Sequence, residues 1–365
     1  MMRQRLRTDL TDLMMTPGLS GHEERVAKLI RSRLSDAGVE SRVDRMGNVI
    51  ASFEGDPGAP SVMIFTHMDQ LGFFVRRIED DGLIRVERMG GVSERAMAAQ
   101  AVTLCIGEGR DVPGIIMNKA HHATTPDEKY KVVTTPDILI DTGHGSKQAV
   151  EAAGVNIGTP VVYQSRVIEL AGDRVAGTSV DDRAGCAALI EIARSLAGRD
   201  SGPTVHVVFS VQEEFNLRGA VVAAQSLKPD IAIQIDLMMA SDTPDLADRG
   251  EMKLGGGAGI SLYSFHGRGT LNGVIPHPSM VELFERAAEN LAMPLQRSAQ
   301  VGVLTDLSYV QLVGEGVASI DIGFPMRHSH STVECCDLGD IEAMVELAVA
   351  AIAGIGPDFK LTRES

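Results

Sequence analysis

The stretch Thr204-Val205-His206-Val207-Val208-Phe209-Ser210-Val211-Gln212-Glu213-Glu214 decides how this chain is read. Through Val211 it is a mostly apolar, β-branched run whose length and composition predict a buried strand. The two carboxylates then stand at the C-terminal end of that strand, the position where open α/β sheets carry their chemistry. Adjacent carboxylates repel unless a cation lies between them or one holds a proton, so the pair points to a metal or to acid/base work. A single Glu-Glu is ordinarily a solvated turn. Here the arrangement recurs.

Working outward, Ile231 to Ile235 is a second predicted strand and runs into Asp236. Ser61 to Thr66 is another, leading to His67-Met68-Asp69, and Val317 to Ile322 is a fourth, followed by Arg327-His328-Ser329-His330-Ser331. Helical periodicity is expected over Ala184 to Leu196, Arg218 to Leu227, Ser279 to Leu291 and Ile341 to Ile355. Near the start, Ser20-Gly21-His22-Glu23 reads as a capping box opening a helix that carries Val26, Leu29, Ile30 and Leu34. From Gly72 to about Val167 the texture changes to short β-like runs between Gly, Asp and Pro turns, which predicts an inserted, mostly β domain. The whole is α/β architecture split by an insertion.

Composition narrows the function. With 365 residues, 44% hydrophobic and 23% charged, the chain has the makeup of a globular protein of about two domains. A net charge of -15 opposes nucleic-acid binding, since phosphates need a basic field, but suits a site that concentrates cations. No apolar run reaches the length of a membrane span and no secretory signal is visible, so neither a membrane nor nucleic acid is expected as partner, and the cytoplasm is the expected location. Cys105, Cys186, Cys335 and Cys336 lack metal or disulfide spacing and read as small buried hydrophobes.

Five positions carry the chemistry. His67-x-Asp69 lets a carboxylate fix an imidazole, as metal-bound histidines require. Asp181-Asp182 precedes a helix, Glu213-Glu214 and Asp236 follow strands, and His328-x-His330 lies in a loop. Each alone has an ordinary explanation as a turn residue, a helix-start carboxylate or a surface histidine. Independent turn residues would not supply nitrogen and carboxylate donors at successive strand ends. Two histidines and three or four carboxylates can form two coordination spheres if one carboxylate bridges, each leaving a position open for water or substrate.

In Thr66-His67-Met68-Asp69-Gln70-Leu71-Gly72-Phe73, Asp181-Asp182-Arg183-Ala184-Gly185, Val211-Gln212-Glu213-Glu214, Asp236, Thr305-Asp306 and Arg327-His328-Ser329-His330, the chain resembles the dinuclear-metal aminopeptidases, the glutamyl aminopeptidase or cellulase M-like group that includes tetrahedral dodecamers. The resemblance covers nearly the whole chain. It implies a three-layer α/β/α zinc-peptidase-like catalytic domain formed by residues 1–71 and 168–365, with residues 72–167 as an inserted dimerisation domain. It further implies two divalent ions, zinc first and cobalt or manganese as alternatives. His67, Asp181 and Asp236 would hold one ion, and Asp181, Glu214 and His330 the other, with Asp181 as bridge and a cis peptide between Asp181 and Asp182. Glu213 would be the general base toward a metal-activated bridging water, and Asp69 would orient His67. Peptides with a free N-terminus are the implied substrates, and self-association, from dimer to dodecamer, the implied assembly.

Two departures stand out. Gln70 replaces the Glu common after H-x-D, and Phe265 to Gly273, with His266 and Arg268, matches no family segment and reads as a Gly-rich wall of the pocket. His121, His122 and His144 are expected at the surface, and the insertion is expected to serve assembly rather than chemistry. Rival readings are an N-acyl amino acid deacylase or carboxypeptidase of the same fold, a non-enzymatic assembly protein, and a glycosidase. The absence of Trp and an aromatic content of 4% argue against a polysaccharide groove.

Overall fold

The computed structural model describes residues 1–267 and 270–363. Helices α1 (Met2–Met14) and α2 (Glu24–Asp36) precede strands β1 (Arg42–Val43), β2 (Val49–Phe53) and β3 (Val62–His67). The chain then leaves for six strands, β4 (Gly72–Ile78), β5 (Ile84–Met89), β6 (Ala101–Leu104), β7 (Val112–Ile116), β8 (Ile140–Asp141) and β9 (Pro160–Tyr163), which close into a barrel. Their inward residues, among them Phe73, Val86, Leu104 and Val161, form a core of their own, to which Val150 of the short helix α3 (Lys147–Ala152) belongs.

The chain returns through β10 (Val167–Glu169) and β11 (Arg174–Gly177) to α4 (Val180–Ala197), β12 (Val205–Ser210), α5 (Gly219–Leu227) and β13 (Ile231–Met239). It finishes with β14 (Gly259–Phe265), β15 (Gly273–Val274), α6 (Pro278–Asn290), β16 (Gln296–Val301), α7 (Leu307–Val310), β17 (Ala318–Met326), β18 (Glu334–Asp337) and α8 (Leu338–Ala353). No helix among the described residues is long and apolar enough to cross a membrane.

Nine strands form one sheet in the order β1-β2-β12-β3-β13-β17-β14-β15, with β16 beside β14. The four central strands β12, β3, β13 and β17 are mutually parallel. Strand periodicity sorts β3 onto two faces. Val62 and Ile64 join a core with α1, α2, α4, α6 and α8, whereas Met63 and Phe65 face α5 and α7. Burying side chains of this size stabilises by roughly 1.5–3 kcal/mol each.

Two expectations change. The capping box does not form: α2 begins at Glu24, the Ser20 hydroxyl donates to Asp69, and Glu23 accepts from the backbone N–H groups of Gly21 and Gln212. Both side chains are drawn to the strand ends because buried acceptors and orphan N–H groups there bind them in place of the helix terminus. The sheet also extends through β14, β15 and β16, which lack an apolar run long enough to announce themselves; Ser261, Ser264 and Gln300 are buried although polar.

Candidate metal centre

Parallel register brings the chemistry-bearing residues to one edge. His67 is the last residue of β3 and lies opposite Ser210 of β12, so the turn carrying Glu213 and Glu214 rises beside it. Asp236 sits inside β13, opposite Gly323 of β17, because β13 runs on to Met239 rather than stopping at Ile235. Asp181 and Asp182 open α4 with non-helical backbone angles, and the peptide between them is cis. Ser179, Gln212, His328 and His330 all adopt left-handed backbone, a conformation that costs a non-glycine residue on the order of 1 kcal/mol and that gathers at functional sites.

The sequence-predicted ligands converge. Asp181 presents Oδ1 at 3.0 Å to His67 Nε2 and Oδ2 at 3.4 Å to His330 Nε2, so one carboxylate faces both imidazoles. Glu214 Oε1 lies 3.9 Å from His330 Nε2. Potential donor atoms of Asp181, Glu214 and His330 lie within 4.8 Å of one another, as do those of His67, Asp182 and Asp236. In that second group Asp182 takes the place the resemblance gives to Asp181, although Asp181 is itself in contact with His67.

The donor chemistry fits divalent cations. Burial, reinforced by neighbouring negative charge, drives Glu213 and Asp236 well above the usual carboxylate range and lifts Asp182 to about 8 and Glu214 to about 7. Asp181 moves down, because contacts with His330 and His67 outweigh its burial. Those carboxylates in turn raise both histidines against the opposing effect of burial. So many acids held together call for a cation between them or for bound protons, and among the described residues Glu214 Oε1 is buried without a hydrogen-bond partner. Imidazole with carboxylate is a donor set that zinc, cobalt and manganese share.

Residues behind the ligands hold them. Asp69 Oδ1 stands 3.4 Å from His67 Nδ1, and its two oxygens accept from the backbone N–H groups of Glu213 and Glu214. Glu334 accepts from the N–H of Asp181 at 3.0 Å and of His330 at 2.8 Å. Thr66 donates to Asp182, and Ser210 to Asp306 at 2.9 Å. Sequence reasoning overlooked Glu334, whose only signal was a carboxylate four residues after His330. Gln70 ties Gly18 and Arg183 to its amide oxygen and donates to Ser179, so its role is to brace the loop.

The insertion also reaches the centre, contrary to a role confined to assembly. His330 Nδ1 lies 3.0 Å from the carbonyl oxygen of Gly91, a contact that fixes the proton on Nδ1 and leaves Nε2 free. Gly91 is on the barrel side of the chain, just beyond β5. His121 and His122 are exposed, as expected, while His144 is half-buried and bonded to Thr142.

A cavity of about 540 Å³ opens over the ligands, lined by Glu213, Asp236, Leu237, Met239 and the segment Val301 to Thr305, with His266 and Arg249 on its wall. Arg268 lies outside the described residues. A parallel α/β sheet with an acid- and imidazole-lined cavity at its C-terminal edge is the arrangement of a metal-dependent hydrolase. Residues 47–347 match the M42 glutamyl aminopeptidase family, and the chain belongs to it.

Among its relatives, the putative aminopeptidase SgcX of Escherichia coli (strain K12) is 37% identical, over 98% of this chain and 97% of that protein. Aminopeptidase APDkam598 from the archaeon Desulfurococcus kamchatkensis superposes with a TM-score of 0.90 at 33% identity, covering 98% of this chain and 97% of that one. The Pyrococcus horikoshii TET1 peptidase, which can assemble into a tetrahedron or a large octahedral shell, superposes with a TM-score of 0.85 at 27% identity, covering 96% and 99%. The protein is an aminopeptidase of a metallopeptidase family and hydrolyses peptides at their N-termini. The deacylase and glycosidase alternatives are not favoured.

Proposed function

We propose that His67 and Asp236, with Asp181, hold one divalent ion, and that Asp181, Glu214 and His330 hold a second, with zinc the first choice and cobalt or manganese as alternatives. The single observation that carries this is Asp181, whose two oxygens address the two histidines separately. Bound ions would supply Lewis acidity toward the scissile carbonyl and acidify water. Glu213, buried on the cavity wall, takes the proton of the attacking water and returns it to the leaving amine. Burial holds its proton affinity above that of an ordinary carboxylate, the direction a general base needs. Asp69 holds the Glu213-Glu214 turn by two backbone hydrogen bonds and faces His67 from behind.

The catalytic unit is residues 1–71 and 168–365 in a three-layer α/β/α arrangement, and residues 72–167 mediate self-association. Apolar exposure on the insertion supports this, with Ile157 73% and Ile115 57% exposed. Unpaired thiols at all four cysteines accord with a reducing compartment such as the cytoplasm.

The test is hydrolysis of an aminoacyl p-nitroanilide before chelation, after it, and after return of zinc, cobalt or manganese. Loss and metal-dependent recovery are expected, with an N-acetylated peptide refused throughout. Activity that survives complete metal removal overturns the proposal.

A further inference from the structure

Beside Asp236 the catalytic cavity continues into a side cavity of about 20 Å³, and Asp236, Leu237, Met239, Val303 and Thr305 line both. Beside Met238, Tyr263 and Ile322, the smaller one is lined by the polar residues Ser261, Ser264, Ser298, Gln300 and Asp321, contributed by β14, β16 and β17. Three of these side chains are more than nine-tenths buried and carry an atom without a hydrogen-bond partner among the described residues: Asp321 Oδ2, Gln300 Oε1 and Ser264 Oγ. The Asp321 and Gln300 oxygens are acceptors and the Ser264 hydroxyl can donate or accept, so two buried acceptors are open to a donor from a ligand. Leaving such atoms unpaired in a buried site is costly, and a ligand that supplies donors recovers the loss.

The placement matches a substrate side chain. Asp321 pairs in register with Gln234, so it lies one strand over from Asp236 and two residues deeper, roughly 7 Å along the strands and about 4.8 Å across them. Asp321 Oδ1 is fixed by the Thr305 hydroxyl at 2.9 Å, which leaves Oδ2 as the free acceptor. Between the ligands and this wall, Leu237, Met239 and Val303 offer an apolar lining for methylene groups. The side cavity as a whole admits one water-sized group, which an ammonium is and a planar guanidinium or a ring is not. Arg249 stays on the exposed wall of the main cavity, where it donates to the carbonyl of Val301, and does not line the side cavity.

Resting on the aminopeptidase reading above, we propose that this side cavity receives the end of the side chain of the substrate's N-terminal residue, entering from the main cavity, with Asp321, Gln300 and Ser264 facing the ammonium group of lysine. The apolar lining carries the methylene stem, and selection follows from the unpaired acceptors that a leucyl or glutamyl side chain leaves unserved.

The experiment compares kcat/KM of the metal-loaded protein on lysyl, arginyl, leucyl and glutamyl p-nitroanilides. Lysyl is expected first, by at least about tenfold over leucyl, with arginyl behind lysyl. Asp321→Asn keeps the shape and the Thr305 contact and should lower the lysyl-to-leucyl ratio at least about tenfold; Ser264→Ala should lower it less. Because the readout is a ratio within one preparation, loss of folded protein cancels. A wild type that prefers leucyl or glutamyl, or an Asp321→Asn ratio equal to wild type, overturns the subsite while leaving the aminopeptidase intact. Failure to cleave any of the four with metal present overturns both readings.

Discussion

Asp69 Oδ1 accepts a hydrogen bond from the backbone N–H of Glu213 at 3.0 Å while standing 3.4 Å from His67 Nδ1. One buried carboxylate thus contacts both the imidazole at the end of β3 and the turn that carries Glu213. Asp69→Ala should therefore disturb two elements at once. We expect kcat/KM to fall about 10- to 100-fold, with weaker binding of the ion at His67. Steady-state kinetics alongside metal titration checks this; a fall in kcat/KM without any change in metal affinity would leave Asp69 acting on the turn alone.

Glu213 and Glu214 are neighbours to which the proposal gives different tasks. Glu213→Gln should lower kcat by about 10²–10⁴ while both ions remain bound. Glu214→Gln should release one of them. Elemental analysis after exhaustive dialysis separates the two variants, and the opposite pattern would exchange the assignments.

At Gly91 a methyl group would stand 2.5 Å from Nδ1 of His330 and 2.9 Å from its Cε1. Gly91→Ala should push His330 aside and weaken the ion shared with Glu214 about 10- to 100-fold, with the His67 ion retained. Isothermal titration of the apo-protein with zinc, giving one strong site instead of two, is the expected outcome.

Stability should depend on pH through Asp340, remote from the centre at the start of α8. Burial raises it from 3.8 to about 6, against the hydrogen bonds it accepts from Gly255 and Gly257. A carboxyl raised in the folded state favours folding most below its unfolded value, and that contribution is lost as pH rises from about 4 through about 6. The loss is on the order of 3 kcal/mol at most, the shift from 3.8 to about 6 converted at about 1.4 kcal/mol per unit. Asp340→Asn should flatten this part of the curve, measured as urea midpoints at pH 4.5 and 7.5.

Strands β3, β12, β13 and β17 were legible because each is an apolar, β-branched run ended by a polar turn, and burial in a parallel sheet demands that composition. The same logic exposed His67, Asp181, Glu213, Glu214, Asp236 and His330, which stand beside those runs or at the start of α4. Glu334, Gly91 and Asp321 were not legible. Glu334 and Gly91 act through backbone contacts that have no periodicity, and Asp321 lies within a strand where the sequence shows only an interruption.

Sequence alone thus determined the α/β class, the inserted β region and the candidate donor residues, because hydrophobic pattern and residue chemistry are local properties. Tertiary structure decided which carboxylate faces which imidazole, that Gly91 beside the barrel contacts His330, and that Asp321, Gln300 and Ser264 line one cavity beside Asp236. Those facts depend on strand register and on contacts between segments as far apart as Gly91 and His330, and no local pattern encodes such distances.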